Sequence, residues 1–345
     1  MEKNTKYKRV TLNEVAAEAG VSAITVSRTI RAPNMVSAGV RKKVQAAIEL
    51  LGYVPDQAAS ALASERTNVV GLLVPSLTNA VFSDVLRGVY DVIDGSGLSV
   101  QIGNFRYSPS KEENLLRTFL RQRPAGLIVA GIDQTDAART LLKSAPCPVV
   151  QIMDVSDSPI DLMIGFSHYD GAVEGTRHLI DAGYKKPGFL GARMDPRSQA
   201  RLAGFTAEAQ ARGVYDPIRV ITTTHPSSVG MGGQLLSDLL AQAPDTDAVF
   251  CNNDDLAAGA LFEAERRRIN VPNDLGICGF NDLEMSRHLN PGITSVATPR
   301  YEVGAGAMTL LRDAIADRAA IQTPHIRLGV ELIKRGSTRR GYPRE

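Results

Sequence analysis

Three arginines are the residues of this sequence best suited to bind a charged ligand. Arg193, Arg197 and Arg201 lie four residues apart, shortly after an apolar run at 188–190. If this segment is helical, the spacing places all three along one face. Arginine pairs with carboxylates and phosphates through parallel N–H donors, and Asp195 is the one acid within the cluster. The pattern therefore predicts an anion site, and the alternative is an exposed, solvated helix face.

The sequence contains little that indicates a catalytic or metal-binding site. The sequence has no Gly-x-Ser-x-Gly elbow, no phosphate-binding P-loop and no His-Glu-x-x-His. Gly304-Ala-Gly306 falls inside a helix-like stretch, so it is a weak dinucleotide signal. The five histidines are dispersed, and Cys147, Cys251 and Cys278 are too scattered for a disulfide framework or a metal cluster. We expect no enzyme activity, no cofactor and no metal.

The elements that must position the arginines are short apolar runs that alternate with amphipathic stretches beyond Thr67. These runs are predicted strands: Val69–Val74, Ser99–Ile102, Gly126–Ala130, Val149–Ile152, Gly188–Leu190, Val220–Thr222, Ala248–Cys251 and Gly276–Gly279. Strands that alternate with helices form parallel sheets, and two sets of them indicate two lobes. Ligands of such α/β sheets bind outside the carboxyl ends of the strands.

Polar residues directly after the predicted strands are therefore the remaining candidates for the ligand site. They are Ser76 and Asn79 with the nearby Phe82, then Asp154, Asn253 and Asn281. Aspartate and asparagine after a strand also cap the following helix, and this alternative stays open for Asp254 and Asn281.

The first 66 residues have a different character. They contain ten Lys or Arg and six Asp or Glu, a balance of +4 in a chain whose net charge is +2. Thr11 and Glu14 form a capping box, Gly20 ends the helix that follows, and Ser22 caps the next one. A third helix is expected from Ser37 to Gly52. Helix, glycine turn and helix form the helix-turn-helix signature.

The second of these helices is the predicted DNA-reading element, because its N-terminal residues face base edges in the major groove. The expected contact residues are Thr11, at the cap of the preceding helix, and six residues of the second helix and its cap: Ser22, Ala23, Ile24, Thr25, Ser27 and Arg28. Hydroxyls can bond phosphates or bases, apolar groups can touch a thymine methyl, and Arg28 can pair with guanine. Ile24 or Val26 should turn inward. The alternative is an ordinary surface helix with its polar side outward.

A short segment after the three helices has two interpretations. Asp56 can cap a helix over 57–64 whose single large apolar residue is Leu62. Helices this short need packing to be stable in water. The segment is therefore either a loose linker or a hinge that folds on DNA, with Leu62 wedged into a minor-groove step.

Taken together, these motifs resemble the lac-repressor family over nearly the whole chain. The resemblance is carried by Val10–Arg28, Val36-Ser37, Gly52–Pro55 and Ala61–Ala63. It implies an all-α head at 1–56, a hinge helix at 57–66, and a two-lobed, periplasmic-binding-protein-like α/β sensor at 67–345. The implied N-lobe spans about 67–166 and 296–325, and the C-lobe about 167–295 and 326–336.

The resemblance also implies roles for particular residues. In similar regulators, the positions that match Arg201, Asn253 and Asn281 bond the effector's oxygens, and the one that matches Asp154 lies nearby. Asn281 stands where the family usually has aspartate.

The likeness is greatest to gluconate-type regulators, through these segments: Pro75–Asn79, Leu86–Gly88, Leu190–Arg193, Asn253–Ala257 and Thr298–Arg300. It implies a sugar-acid effector such as gluconate or 2-ketogluconate, which the arginines also favour. We expect the carboxylate to pair with Arg201, assisted by Arg197 or Arg193.

These observations predict a ligand-controlled transcriptional repressor that binds a palindromic operator as a homodimer. No heptad repeat follows Lys334, so no coiled-coil tetramer is expected. With no apolar segment suited to a signal peptide or a membrane span, a cytoplasmic location is expected. The alternatives are a regulator of a neutral sugar or sugar phosphate, a solute-binding protein, and a sugar-modifying enzyme.

Overall fold

The computed structural model describes residues 10–54 and 66–341. The chain divides into two compact units between Thr67 and Asn68. Leu62 and residues 57–65 of the predicted hinge lie outside the described residues, so the hinge helix stays a prediction.

The first unit contains three helices, α1 (Leu12–Ala19), α2 (Ala23–Arg31) and α3 (Ala38–Leu51). The predicted capping box is confirmed: the Glu14 carboxylate accepts from the backbone N–H of Thr11 at 2.8 Å, and the Thr11 hydroxyl accepts from that of Glu14 at 3.3 Å. Gly20 ends α1 with φ +65°, a left-handed conformation that glycine adopts without steric cost. Ser22 accepts from the backbone of Thr25 and caps α2.

A small apolar core joins the three helices. Its buried members are Val15, Ala16, Ala19, Val26, Val44, Ala47 and Tyr53. Val26 is fully buried, whereas Ile24 is 70% exposed. Of the two inward candidates on α2, Val26 is therefore the core residue, and Ile24 faces outward beside the polar side chains.

The second unit contains two six-stranded sheets, one in each lobe. The N-lobe strands are β1 (Val69–Val74), β2 (Ser99–Asn104), β3 (Gly126–Ala130), β4 (Val149–Ile152), β5 (Leu162–Gly165) and β11 (His325–Arg327). The C-lobe strands are β6 (Pro187–Ala192), β7 (Val220–Thr223), β8 (Ala248–Cys251), β9 (Gly276–Asn281), β10 (Thr294–Ala297) and β12 (Glu331–Ile333). All pairs are parallel except β10 with β12.

Helices connect the strands, as the alternating sequence pattern predicts. They are α4 (Val81–Ile93), α5 (Pro109–Arg121), α6 (Asp136–Lys143), α7 (His168–Asp181), α8 (Pro196–Ala211), α9 (Val229–Gln242), α10 (Asp254–Arg266), α11 (Glu284–His288) and α12 (Arg300–Ala316). Helix α12 packs against β3, β4 and β5, so it belongs to the N-lobe.

The chain crosses between lobes three times, and strand pairing places two of the crossings slightly after the expected bounds. β10 pairs with β9 through Ala297, so the C-lobe extends past the expected crossing near 295. β11 pairs with β5 through Arg327, so the N-lobe extends past the expected crossing near 325. Strand pairing, which the sequence pattern does not specify, sets both boundaries.

The order of the strands explains where a ligand site forms. The N-lobe sheet runs β2-β1-β3-β4-β5 before β11, and the C-lobe sheet runs β7-β6-β8-β9-β10 before β12. In both sheets, the second strand lies on one side of the first strand, and the later strands lie on its other side. The connections after neighbouring strands therefore leave in opposite directions, and a crevice forms at the carboxyl ends of the central strands. The residues after β1 and β6 therefore lie at the two crevices.

Candidate functional site

A cavity of about 180 Å³ lies at the carboxyl ends of the two sheets, with residues of both lobes in its wall. It is smaller than the ~300–1,000 Å³ typical of drug-sized ligand pockets, which suits a small polar molecule. The structure brings these predicted residues together in its wall: Ser76, Asn79, Phe82, Arg193, Arg197, Arg201, Asn253 and Asn281. Asp154 is not part of the wall.

Arg201, on the first turns of α8, is the most deeply buried of the three arginines, with 8% of its surface exposed. Its guanidinium donates to Nδ1 of His168 from Nε at 3.3 Å and from the terminal nitrogen NH2 at 3.1 Å, and also to the backbone carbonyl of Asn252. It lies over the ring of Phe280, 3.9 Å from the centroid. Burial lowers the pKa of Arg201 to about 10, so the group remains a cation at neutral pH.

His168 holds this arginine and connects it to the other lobe. Because arginine only donates, Nδ1 of His168 must be an acceptor. Nε2 then carries the proton and donates to the carbonyl of Met153 at 2.9 Å. His168 is the first residue of α7, and Met153 directly follows β4 in the N-lobe. Burial, with the charges of Arg201 and Arg197 added, lowers the pKa of His168 well below its usual value. The imidazole is therefore neutral.

Arg197 is paired within the protein. Its guanidinium contacts Asp195 at 3.3 Å and Asp133 of the N-lobe at 3.7 Å, and its side chain is 12% exposed. Burial opposes the charge, yet the attraction of both carboxylates outweighs it and raises the pKa of Arg197. The ion pair with Asp133 is a direct contact between the two lobes.

The predicted single helical face for the three arginines is wrong at Arg193. Helix α8 begins at Pro196, with Asp195 as its N-cap, so Arg193 lies in the loop before it with φ +67°. Its backbone N–H donates to the carbonyl of His225 at 2.8 Å. The guanidinium lies over the ring of Tyr107, 3.8 Å from the centroid. Tyr107 follows β2, so this is another contact between the lobes.

The N-lobe part of the wall is a turn after β1. The Ser76 hydroxyl accepts from the backbone of Thr78 at 3.2 Å and of Asn79 at 3.1 Å. Asn79 Oδ1 accepts from the backbone of Val81 at the start of α4. These bonds fix the turn and leave the Asn79 amide N–H groups available to a ligand.

Asn253 caps α10 and also lines the cavity. Its Oδ1 accepts from the backbone of Leu256 at 3.0 Å and from the Ser227 hydroxyl at 2.9 Å. The alternative that Asp254 caps a helix does not apply, since its buried carboxylate accepts from Ser295 and from the backbone of Leu283. Burial raises the pKa of Asp254 to about 6.

Asn281, at the end of β9, is 4% exposed and has φ +104°. Its Oδ1 is buried, with no hydrogen-bond partner among the described residues, and the residue lines the cavity. A buried acceptor without a partner carries a desolvation cost that a ligand hydroxyl can remove. Capping is not its role, because α11 has Leu283 as its cap residue.

Arg300 links Asn281 to the N-lobe. It donates to the Asn281 carbonyl and, at 2.8 Å, to Asp84 on α4. Arg300 can contact Asp84 because α12 crosses close to α4. Gly88 and Gly304 lie at this crossing and have no side chains to hold the helices apart.

Asp154 lies outside the wall. Its carboxylate accepts from the backbone of Val155 at 2.8 Å. Burial raises the pKa of Asp154 to about 6. Its sequence position after β4 matches the other candidates, but it has no place in the cavity surface.

Sequence reasoning missed four groups of the site: Tyr107, His168, Ser227 and Asp133. Tyr107 and His168 follow the ends of β2 and β5, so the strand-end rule used for the other residues could have found them. Ser227 lines the cavity and bonds Asn253, whereas Asp133 reaches the site through Arg197; both partners are distant in sequence.

The predicted DNA-contact residues lie together at the start of α2. Ser22, Ile24 and Arg28 are exposed, while Ala23, Thr25 and Ser27 are half-buried. The Ser22 and Thr25 hydroxyls are 2.9 Å apart and bond each other. Thr11 is exposed at the start of α1.

The described residues hold no group of three or more His, Cys, Asp or Glu side chains arranged to bind a metal ion. Within that part of the chain, no helix is both long and apolar enough to cross a membrane.

Two family models match this chain. Residues 11–56 match the bacterial regulatory proteins of the lacI family, and residues 176–338 match the periplasmic binding protein-like domain. The HTH-type transcriptional regulator GntR of Pseudomonas aeruginosa is 41% identical over 98% of each chain. The Escherichia coli regulator of the same name is 36% identical over 89% of this chain and 92% of its own length.

Solved structures agree with the family models. A LacI family transcriptional regulator from Silicibacter pomeroyi superposes with a TM-score of 0.91 at 35% identity, over 96% of this chain and 100% of that one. The lac repressor dimer bound to operator and the anti-inducer ONPF has a TM-score of 0.81 at 28% identity, over 96% and 99%.

These matches confirm the predicted fold, a helix-turn-helix head followed by a two-lobed sensor with parallel sheets. The exposed start of α2 and the cavity between the lobes correspond to the two activities of such a protein, DNA reading and effector binding. The chain belongs to the lacI family of bacterial regulatory proteins and is a ligand-responsive, DNA-binding transcriptional regulator.

Proposed function

We propose that the protein is a repressor of sugar-acid metabolism genes and that gluconate or 2-ketogluconate is its effector. The observation that carries this proposal is the charge of the cavity. Arg193, Arg197 and Arg201 line it together with Asp255, Arg197 is paired with Asp195 and Asp133, and His168 is neutral. Arg193 and Arg201 form no ion pair among the described residues, and two such cations in one wall favour a small anion.

The remaining wall supplies groups for the hydroxyls of a sugar acid. Asn79 presents amide N–H groups, and Asn281 presents a buried oxygen without a partner. Such fixed polar groups reject a ligand that lacks the matching donor or acceptor. A sugar phosphate or a larger sugar is disfavoured by the cavity's small volume of about 180 Å³. The relatives named GntR also support the assignment.

The effector is proposed to act by holding the lobes together. A ligand that bonds Asn79 and packs on Phe82 on one side, and bonds Arg201 and Asn281 on the other, stabilises the closed arrangement of the cleft. We propose that two copies read a palindromic operator, as the solved lac repressor dimer binds its own operator. Light scattering on the purified chain is expected to give the dimer mass.

A thermal-shift screen with gluconate, 2-ketogluconate, glucose and 6-phosphogluconate tests the proposed effector. Gluconate and 2-ketogluconate are expected to raise the melting temperature more than glucose or 6-phosphogluconate do, and to change operator binding in gel shifts. Equal stabilisation by glucose would contradict the sugar-acid assignment and favour a neutral-sugar regulator. Turnover of any bound sugar would instead favour an enzyme.

A further inference from the structure

We propose that Arg193, held over the ring of Tyr107, binds the effector's carboxylate and makes the site prefer an acid over a neutral polyol. Arg201, by contrast, serves the hydroxyl end of the ligand. This inference rests on the proposed function, because it requires the effector to be an acid.

The other two arginines are already occupied. Arg197 is flanked by the carboxylates of Asp195 and Asp133. Arg201 uses three of its N–H groups on His168 and Asn252. An arginine has five N–H donors, so Arg201 retains single N–H groups suited to hydroxyl oxygens.

Arg193 differs from both. Among residues 10–54 and 66–341, no carboxylate lies within ion-pair distance of its guanidinium. The guanidinium instead makes a cation–π contact with the Tyr107 ring. Its side chain is half-buried and lines the cavity. An anion entering this cavity therefore meets in Arg193 a guanidinium that forms no ion pair with the described residues and whose N–H groups, unlike those of Arg201, make no hydrogen bond within that part of the chain.

The aromatic contact prepares Arg193 to bind a carboxylate. At 3.8 Å from the ring centroid, the planar guanidinium lies against the face of Tyr107. Its N–H groups point outward in the guanidinium plane, so the ring does not use them. A carboxylate binds such an edge through two parallel hydrogen bonds. The ring fixes the orientation that this pairing needs.

Both partners lie on backbone that is unusual for side chains other than glycine. Arg106 and Tyr107 have φ of +51° and +55°, and Arg193 and Met194 have +67° and +49°. Such left-handed residues are uncommon, and they concentrate at ligand clamps and switch regions. The two loops follow β2 and β6, so the clamp closes only when the lobes approach each other.

Calorimetry on the full-length chain with gluconate and gluconamide tests the assignment. The amide replaces the carboxylate with a neutral group on the same polyol. Wild type is expected to prefer gluconate. In Arg193→Gln this preference should fall by roughly tenfold to a hundredfold, the scale of a charge-assisted pair, with little change in gluconamide affinity. Arg201→Gln should weaken both ligands together.

Three further variants separate positioning from charge. Arg193→Lys keeps the charge but not the planar fork, so it should lose part of the preference. Tyr107→Leu should lose part of it as well, whereas Tyr107→Phe keeps the ring and should retain it. Arg340→Gln is the matched control, since Arg340 stacks on Tyr184 at 4.1 Å, outside the cavity wall.

The outcomes distinguish this inference from the proposed function. If gluconate binds wild type but the preference survives in both Arg193→Gln and Tyr107→Leu, the Arg193 assignment is wrong and the sugar-acid assignment stands. If wild type binds gluconate no better than gluconamide, both are wrong. If Arg193→Gln fails to fold, the preference of Tyr107→Leu for gluconate over gluconamide tests the Arg193 assignment by itself.

Discussion

The DNA-reading head and the effector cleft are built in opposite ways. The candidate side chains of the head come mostly from about two turns of one helix, Ser22 to Arg28, and several of them are exposed. The cleft collects its groups from loops after β1, β2, β5, β6, β7, β8 and β9 and from the start of α8, and buries or half-buries most of them.

This difference follows from the two ligands. DNA is a large polyanion whose grooves accept a protruding helix, so exposed side chains suffice to read it. A small polar molecule must exchange its hydration shell for fixed protein groups. The cleft therefore holds polar residues such as Arg201, His168 and Asn281 away from water. Their burial makes the cleft more sensitive to substitution than the head.

The largest effect is expected from Arg201→Ala. The change removes donors from His168 Nδ1 and the Asn252 carbonyl, leaving buried acceptors unpaired, and removes N–H groups that face the ligand. Loss of one partner of a buried, hydrogen-bonded charge costs roughly 2–5 kcal/mol of binding free energy. Calorimetry should show this loss for gluconate.

The control is Arg266→Ala, an arginine on α10 whose side chain is 68% exposed. Its effect should stay within about 0.5 kcal/mol, as for other surface changes. Equal losses in the two variants would remove the distinction between the cleft and the surface.

A second effect concerns Glu112, a carboxylate buried on α5 near Asp133 and Arg197. Burial raises its pKa from 4.5 to about 7, and its Oε1 has no hydrogen-bond partner among the described residues. Between these two pH values the folded state binds a proton that the unfolded state has released. Stability therefore falls as pH rises through this window, by a total on the order of 3 kcal/mol.

Glu112→Gln should abolish that part of the pH dependence. The variant is expected to equal wild type in urea unfolding near pH 4.5 and to exceed it by up to that amount at pH 8. Glu265→Gln, an exposed position on α10, serves as the control. A constant difference between Glu112→Gln and wild type at all pH values would show that the pKa of Glu112 is the same in the folded and unfolded states.

The head could be predicted almost completely because its signals are local. Thr11 with Glu14, Gly20 and Ser22 each specify a helix end within a few residues, and all of these act as expected. The choice between Ile24 and Val26 needed the structure, since both are β-branched and two positions apart. Packing against α1 and α3 selects Val26.

The cleft could be predicted only in part. Strand ends located Ser76, Asn79, Asn253 and Asn281 because parallel strands deliver their following loops to one edge. The spacing of the arginines wrongly placed Arg193 on the helix. Asp195-Pro196 is a helix-start signal, so the sequence does indicate that the helix begins after Arg193.

The partners across the cleft were beyond the sequence pattern. Nothing near Arg197 in sequence indicates Asp133, and nothing near Arg193 indicates Tyr107. Each pair joins two lobes whose approach depends on the whole fold.

A third prediction compares two neighbours on α2. Val26→Ala removes two methyl groups from a fully buried site and should lower the free energy of unfolding of the head by about 1–3 kcal/mol. Ile24→Ala, at a site 70% exposed, should leave it within about 0.5 kcal/mol while weakening operator binding. Hydrogen exchange of amides in residues 10–54, with gel shifts on the full chain, measures both. If Ile24→Ala destabilises the head as much as Val26→Ala, Ile24 is a packing residue.

The smallest effect is expected at Thr11, where a helix cap and a predicted DNA contact coincide. Thr11→Ala removes the hydroxyl that accepts from the Glu14 backbone and should cost about 1 kcal/mol of head stability. Thr11→Asp restores a capping oxygen, so stability should return. If Thr11 faces a phosphate, the added negative charge should still weaken binding to operator and random DNA alike, and more so at low salt. Binding that recovers together with stability in Thr11→Asp would show that Thr11 is a cap alone.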